Sequence, residues 1–197
     1  MKFVSLLLSI FGLGALFSCK KTGYETKNGL VYFKDTAVRE ADPNSFETLN
    51  TVFGKDAKNA YYRGVVLEAE AGSFVALDEH YAKDKSTVFY CDNALNGQTY
   101  FTTRNNVIRK IAGADAASFE RLEYNYSKDK SRCYSDGIAF PVQDVATFQP
   151  LKGDYAKDKR VGYFRLTSIP NSDGNSFEPL SGTFSKDRNH VFYSWVN

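Results

Sequence analysis

The chain has 197 residues, 43% of them hydrophobic and 15% aromatic, and a formal net charge of +2. That hydrophobic content excludes a disordered chain, and the length suffices for one domain with a real core. Lys and Asp are interspersed rather than blocked, so neither nucleic acid nor anionic lipid is expected as the main partner, because both need a concentrated basic patch.

The first residues read as an export leader. Lys2 precedes an apolar stretch, Phe3 to Phe17, that is too short to span a membrane. Leu16-Phe17-Ser18-Cys19 resembles the bacterial lipobox, in which the Cys becomes the lipidated first residue of the mature protein. The sequence therefore predicts a lipoprotein signal peptide over 1–18, a lipidated linker over 19–23 and a single domain over 24–197. Acyl chains on Cys19, palmitate among them, would hold the protein at the bacterial cell envelope, with the outer membrane as the expected site. An ordinary signal peptide with a coincidental Cys19 is the alternative.

From Tyr24 onward one pattern recurs. An aromatic residue is followed by Lys-Asp, and an aromatic pair stands eight and nine positions after the first aromatic. The copies begin at Phe53, Tyr81, Tyr126, Tyr155 and Phe184, the Tyr126 copy having Ser135 for the second aromatic of the pair, with a degenerate one at Tyr24 that has Thr26-Lys27 for Lys-Asp. The starting points step by 29, 28, 45, 29 and 29 residues, a period that marks stacked or radially arranged units. Lys-Asp and the polar residues after it predict a tight turn, with the Asp side chain accepting from backbone N–H groups ahead of it. The flanking segments then form a β-hairpin. The returning strand carries apolar residues at successive positions, as in Val88-Phe89-Tyr90, so it presents apolar matter on both faces.

A second half accompanies each hairpin. Acidic-x-x-[Ser/Thr]-Phe-x-x-Leu occurs at 42–49, 70–77, 115–122, 144–151 and 173–180, and its Leu always precedes the next leading aromatic by four residues. The acidic residue sits where an N-cap would, and Phe and Leu are expected to share one face of a single helical turn. The predicted fold is all-β: about six hairpin repeats linked by short helical turns, in an open solenoid-like stack rather than a closed propeller-like ring. All length variation falls between the aromatic pair and the next acidic residue.

The long step after Tyr81 holds extra residues between Cys91 and Ile111. They include the type I′ dipeptide Asn96-Gly97, then Tyr100-Phe101. An additional hairpin is expected there. Asn96, Gly97, Tyr100 and Phe101 are the candidate recognition residues, because inserted loops often carry recognition. Cys91 and Cys133 stand at different repeat positions, and strand parity points them to opposite faces, which favours two buried thiols over a disulfide.

Catalytic chemistry is sparse. His80 and His190 have no ligand-spaced neighbours, so no metal or other cofactor is expected. Asp84, Asp129, Asp158 and Asp187 recur once per repeat and so read as turn-forming scaffold, not as an active site. Asp84-Lys85 through Tyr90, Asp158-Lys159 through Phe164 and Asp187-Arg188 through Tyr193, with Ala114-Asp115 through Phe119, resemble the DKNYY family of bacterial exported proteins over roughly 24–197. That resemblance implies a repeat protein and carries no activity with it. The expected function is non-catalytic: a binding or structural lipoprotein that offers a repeat surface to an envelope protein or glycan. The alternative is a hydrolase of envelope polysaccharide with its site in the 91–111 region, for which Glu120, Glu123 and Asp92 are the loose candidates. A purely structural spacer is the third reading.

Overall fold

The computed structural model describes residues 23–95 and 104–194. Six small antiparallel sheets follow one another in chain order, and none closes into a barrel. The expected hairpin is the middle of each sheet. In the second sheet Phe53–Lys55 pairs with Ala60–Tyr62, with Phe53 opposite Tyr62. Glu47–Thr48, from the Phe-x-x-Leu half, pairs outside the leading strand, and Val65–Leu67 pairs outside the returning one. The second to fifth sheets have four strands, and the first and sixth have three. The link before each sheet is a turn, which is 3-10 helical at Ala71–Ser73 and Val145–Thr147. Phe74 and Phe148 directly after these segments are already extended, with ψ 130° and 129°. Phe and Leu therefore do not share a helical face, because the helix ends before either is reached.

The Asp of each Lys-Asp turn is the hub of its sheet. Asp56, Asp84, Asp129, Asp158 and Asp187 are all buried, at 1–8% exposure. One carboxylate oxygen accepts the backbone N–H groups two and three residues ahead, at 2.7–2.9 Å. The other accepts the backbone N–H of the acidic residue 14 positions earlier, at 2.8–3.0 Å. That same oxygen also receives the hydroxyls of Tyr61, Tyr134 and Tyr163 at 2.6–2.7 Å. A reciprocal bond runs from the backbone N–H after the Asp to the Ser or Thr hydroxyl of the acidic half, at 3.0–3.2 Å. Burial acts to raise these five carboxyls, and the converging hydrogen bonds outweigh it. Each therefore lies below the ordinary 3.8, with Asp187 at about 2. The first sheet closes instead through Asn28-Gly29, both left-handed at φ 51° and 73°.

Five apolar layers separate the six sheets. In each layer the Phe of one acidic half wedges between the leading aromatic of the preceding sheet and the first aromatic of its own sheet's pair. Phe46, Phe74, Phe119, Phe148 and Phe177 make these contacts at ring separations of 5.1–6.4 Å. Polar ties run beside the rings. Lys55, Lys83 and Lys157 donate to the carbonyl of the next sheet's Phe at 3.0–3.3 Å. Tyr24 and Tyr81 accept N–H bonds from Gly64 and Gly137 at 2.9 and 2.8 Å. Gly174 fits where no side chain can, because a Cβ there would collide with the Asp158 carbonyl oxygen. Among the described residues no hydrogen bond, ion pair or ring contact joins the first sheet to the sixth, and Phe184 and Val191 of the sixth remain 46% and 68% exposed. The array is open.

The expected extra hairpin lengthens an existing one. Val88–Leu95 pairs with Arg104–Lys110 from Phe89↔Lys110 out to Leu95↔Arg104, so Arg104–Lys110 takes the place of the usual third strand. Cys91 faces the layer between the second and third sheets, and Cys133 the layer between the fourth and fifth. Both thiols are free, as parity indicated.

Replacing Asp158 by Asn would turn an acceptor oxygen into a donor facing N–H groups and the Tyr163 hydroxyl. The expected cost is about 2–4 kcal/mol of unfolding free energy, read from urea melts at pH 7. A carboxyl depressed by folding stabilises the fold above its unfolded pKa and loses that contribution as pH falls through its folded value. Asp187 should therefore stop stabilising the array between pH 3.8 and about 2, and the other four hubs should lose their contributions as pH falls further below 3.8, checked by acid titration of the circular-dichroism signal.

Candidate functional site

A groove of about 690 Å³ runs along the edge of the fourth, fifth and sixth sheets. Ile138 and Leu166 reach it because each stands just after the turn into a third strand, and third strands have no neighbour beyond them. Tyr124 and Tyr193 stand at its sides. These four residues are 36–53% exposed, which gathers several of the exposed large apolar side chains at one place.

The groove collects left-handed backbone, which at Asp136 and Arg165 recurs from the equivalent Lys34 and Arg63 of the first two sheets. Tyr124, Asn125, Asp136, Asp154 and Arg165 all line the groove and all have positive φ, between 48° and 66°. Asn and Asp tolerate this region, and Asp136-Gly137 forms a turn that requires it. Tyr124 has no such excuse. The equivalent residues of the fifth and sixth sheets, two before the leading aromatic, are Gly153 and Gly182 at φ 72° and 59°. A bulky residue held in this region costs about 1–3 kcal/mol.

Polar groups share the lining. The Asp136 carboxyl is raised, first by burial and then by the nearby Asp154 and Asp92 carboxylates, with His80 opposing. Arg165 lies 3.3 Å from Asp154, both side chains more than half exposed, so this pair contributes about 0–1 kcal/mol at most. The groove thus offers ring faces, aliphatic surface, two carboxylates and one guanidinium.

A model of the DKNYY family matches residues 10–93 and again residues 65–195. The chain belongs to the DKNYY family. No curated protein and no solved structure matches it.

In this DKNYY protein the residues singled out from the sequence do not converge on the groove. Asn96, Gly97, Tyr100 and Phe101 lie outside the described residues, as does Cys19. The ribbon leading to the first four is described, and Arg104–Lys110 is exposed throughout except at half-buried Val107. Asp92, on that ribbon, sits 3.8 Å from His80. Glu120 is 3.4 Å from Lys128 on the neighbouring strand. Glu123 lines a separate shallow depression with Glu178, whose carboxyl is lowered by its bond to Lys186 and so makes a poor proton donor. Among the described residues no group of three or more His, Cys, Asp or Glu could hold a metal ion, and no helix is long and apolar enough to cross a membrane. The groove itself was missed by sequence reasoning, because its walls come from residues that vary between repeats. One signal was present: Tyr124 stands where two other copies carry Gly.

Burial pushes the Cys91 and Cys133 thiols up to about 12. Both should resist alkylation by iodoacetamide at pH 8 in the folded protein and react once it is unfolded in guanidinium. Mass spectrometry of the alkylated peptides reads this directly.

Proposed function

We propose that this DKNYY protein is a non-catalytic binding protein, held at the bacterial cell envelope by lipid on Cys19, that presents its groove to an envelope protein or glycan. The observation that carries this reading is the concentration of exposed apolar side chains at one edge of a regular array. Scaffold positions obey the repeat. Tyr124 and Leu166 in the groove's walls depart from it, standing where other copies carry Gly, and that is where a selected surface would lie. The Lys-Asp carboxylates, which recur once per repeat as scaffold does, are buried and engaged in holding turns.

Lipidation follows from the leader pattern and predicts a clear phenotype. Cys19→Ala should move the protein from the membrane fraction to the soluble fraction, and continued sedimentation with membranes would contradict the tether. For the groove, full-length protein bearing Ile138→Asp and Leu166→Asp should recover at least about tenfold less material from envelope extracts than the wild type. Both sites are exposed, so the melting temperature should hold. Equal recovery by the two proteins would overturn the groove as the binding surface. Cleavage of envelope polysaccharide by the wild type, lost in Asp136→Asn, would overturn the non-catalytic reading.

A further inference from the structure

We infer that Tyr124 is a ligand-stacking residue and that the groove beside it takes a neutral oligosaccharide, an assignment that rests on the binding reading above. The starting point is the comparison between copies. The fourth sheet holds Tyr where the fifth and sixth hold glycines in the same left-handed conformation. Glycine would satisfy the backbone better at this point. The ring is not repaid by core packing either, because Tyr124 is 50% exposed. A residue that strains the chain and does not fill the core is retained for what it presents to solvent. Here that is an aromatic face at the mouth of a groove.

The rest of the lining selects among ligands. Its volume, about 690 Å³, falls within the range of small-ligand sites. Asp136 and Asp154 disfavour a phosphate polymer or any polyanion, since Arg165 in the lining already faces Asp154 and the nearby Arg109 donates to the Asp136 carbonyl. A purely apolar ligand would bury these carboxylates without partners. A peptide adding as a strand would need a long exposed edge, and the edge strands here, Ile138–Phe140 and Thr167–Ser168, have only three and two residues. A sugar ring meets every condition. Its C–H face stacks on Tyr124 and lies over Ile138 and Leu166, while its hydroxyls donate to Asp136 and Asp154 and accept from Arg165.

The test uses full-length protein in detergent solution and isothermal titration with four probes: chitotetraose, cellotetraose, maltotetraose and, as the peptide arm, a ten-residue alternating Val-Thr strand. Wild type should bind at least one of the sugars and not the peptide. Tyr124→Gly should weaken that binding about tenfold while holding or raising the melting temperature by about 2–4 °C. Tyr124→Phe should keep the affinity, because the ring face is retained. A purely structural Tyr124 would give the opposite pair of results: a lower melting temperature for Tyr124→Gly with binding unchanged. That result overturns the inference, as does binding of none of the three sugars. Binding of the peptide alone, abolished by Leu166→Asp, would sink the sugar assignment and leave the groove standing as a binding surface. Loss of the difference between wild type and the Ile138→Asp, Leu166→Asp protein in envelope recovery would instead sink the broader reading.

Discussion

The structure depends on a buried carboxylate that reaches in two directions. Through one oxygen the Lys-Asp aspartate closes its own turn, and through the other it captures a backbone N–H from 14 residues earlier. A buried charge is tolerated only when its hydrogen bonds are complete, so the two halves of the repeat must arrive together and in register. The reciprocal bond from the Ser or Thr hydroxyl, spanning 12 residues, fixes the same spacing a second time. This explains why no insertion interrupts the stretch from the acidic residue to the aromatic pair. Length changes fall beyond it, in the third strand, where none of these bonds crosses. The lengthened ribbon of the third sheet occupies that tolerant place.

Individual sheets are too small to stand alone. The aromatic wedge supplies what they lack, since each Phe belongs to one sheet and packs against two. Stability is then a sum over neighbouring interfaces, as in other linear arrays. Pairs beside the wedge are secondary. Glu70–Lys85, Asp115–Lys130, Asp144–Lys159 and Asp173–Arg188 recur at 2.5–3.1 Å, yet their Lys and Arg ends are solvent-exposed and the pairs are individually weak. Asp42 lacks such a partner because Ala57 stands where the others have Lys or Arg, and the second sheet folds regardless.

The sequence revealed what is local. The Asp turn, the hairpin register and the two-sided returning strand follow from residues within ten positions of one another, and the period gave the number of sheets. Contacts between the two halves were not legible, since nothing in the sequence shows where the hydroxyl of a Tyr five residues after an Asp will point until the fold places it on the carboxylate. The third strands were missed because they are only two or three residues long and share one signal, a buried apolar residue 14 positions after the leading aromatic: Val38, Leu67, Phe140 and, just past its strand, Ile169. The groove was illegible for a related reason, being made by three sheets at positions that differ in each. Binding surfaces in repeat arrays arise where copies diverge, and divergence has no periodic signal.

Amide hydrogen exchange at the backbone N–H groups of Asp42, Glu70, Asp115, Asp144 and Asp173 tests the central account most directly. These five groups lie in short turns near solvent, where unprotected amides would exchange at free-peptide rates. If the aspartate hubs hold the halves together, all five will be protected to a similar degree at neutral pH. Free-peptide exchange at these five positions, with the strands still protected, would contradict it.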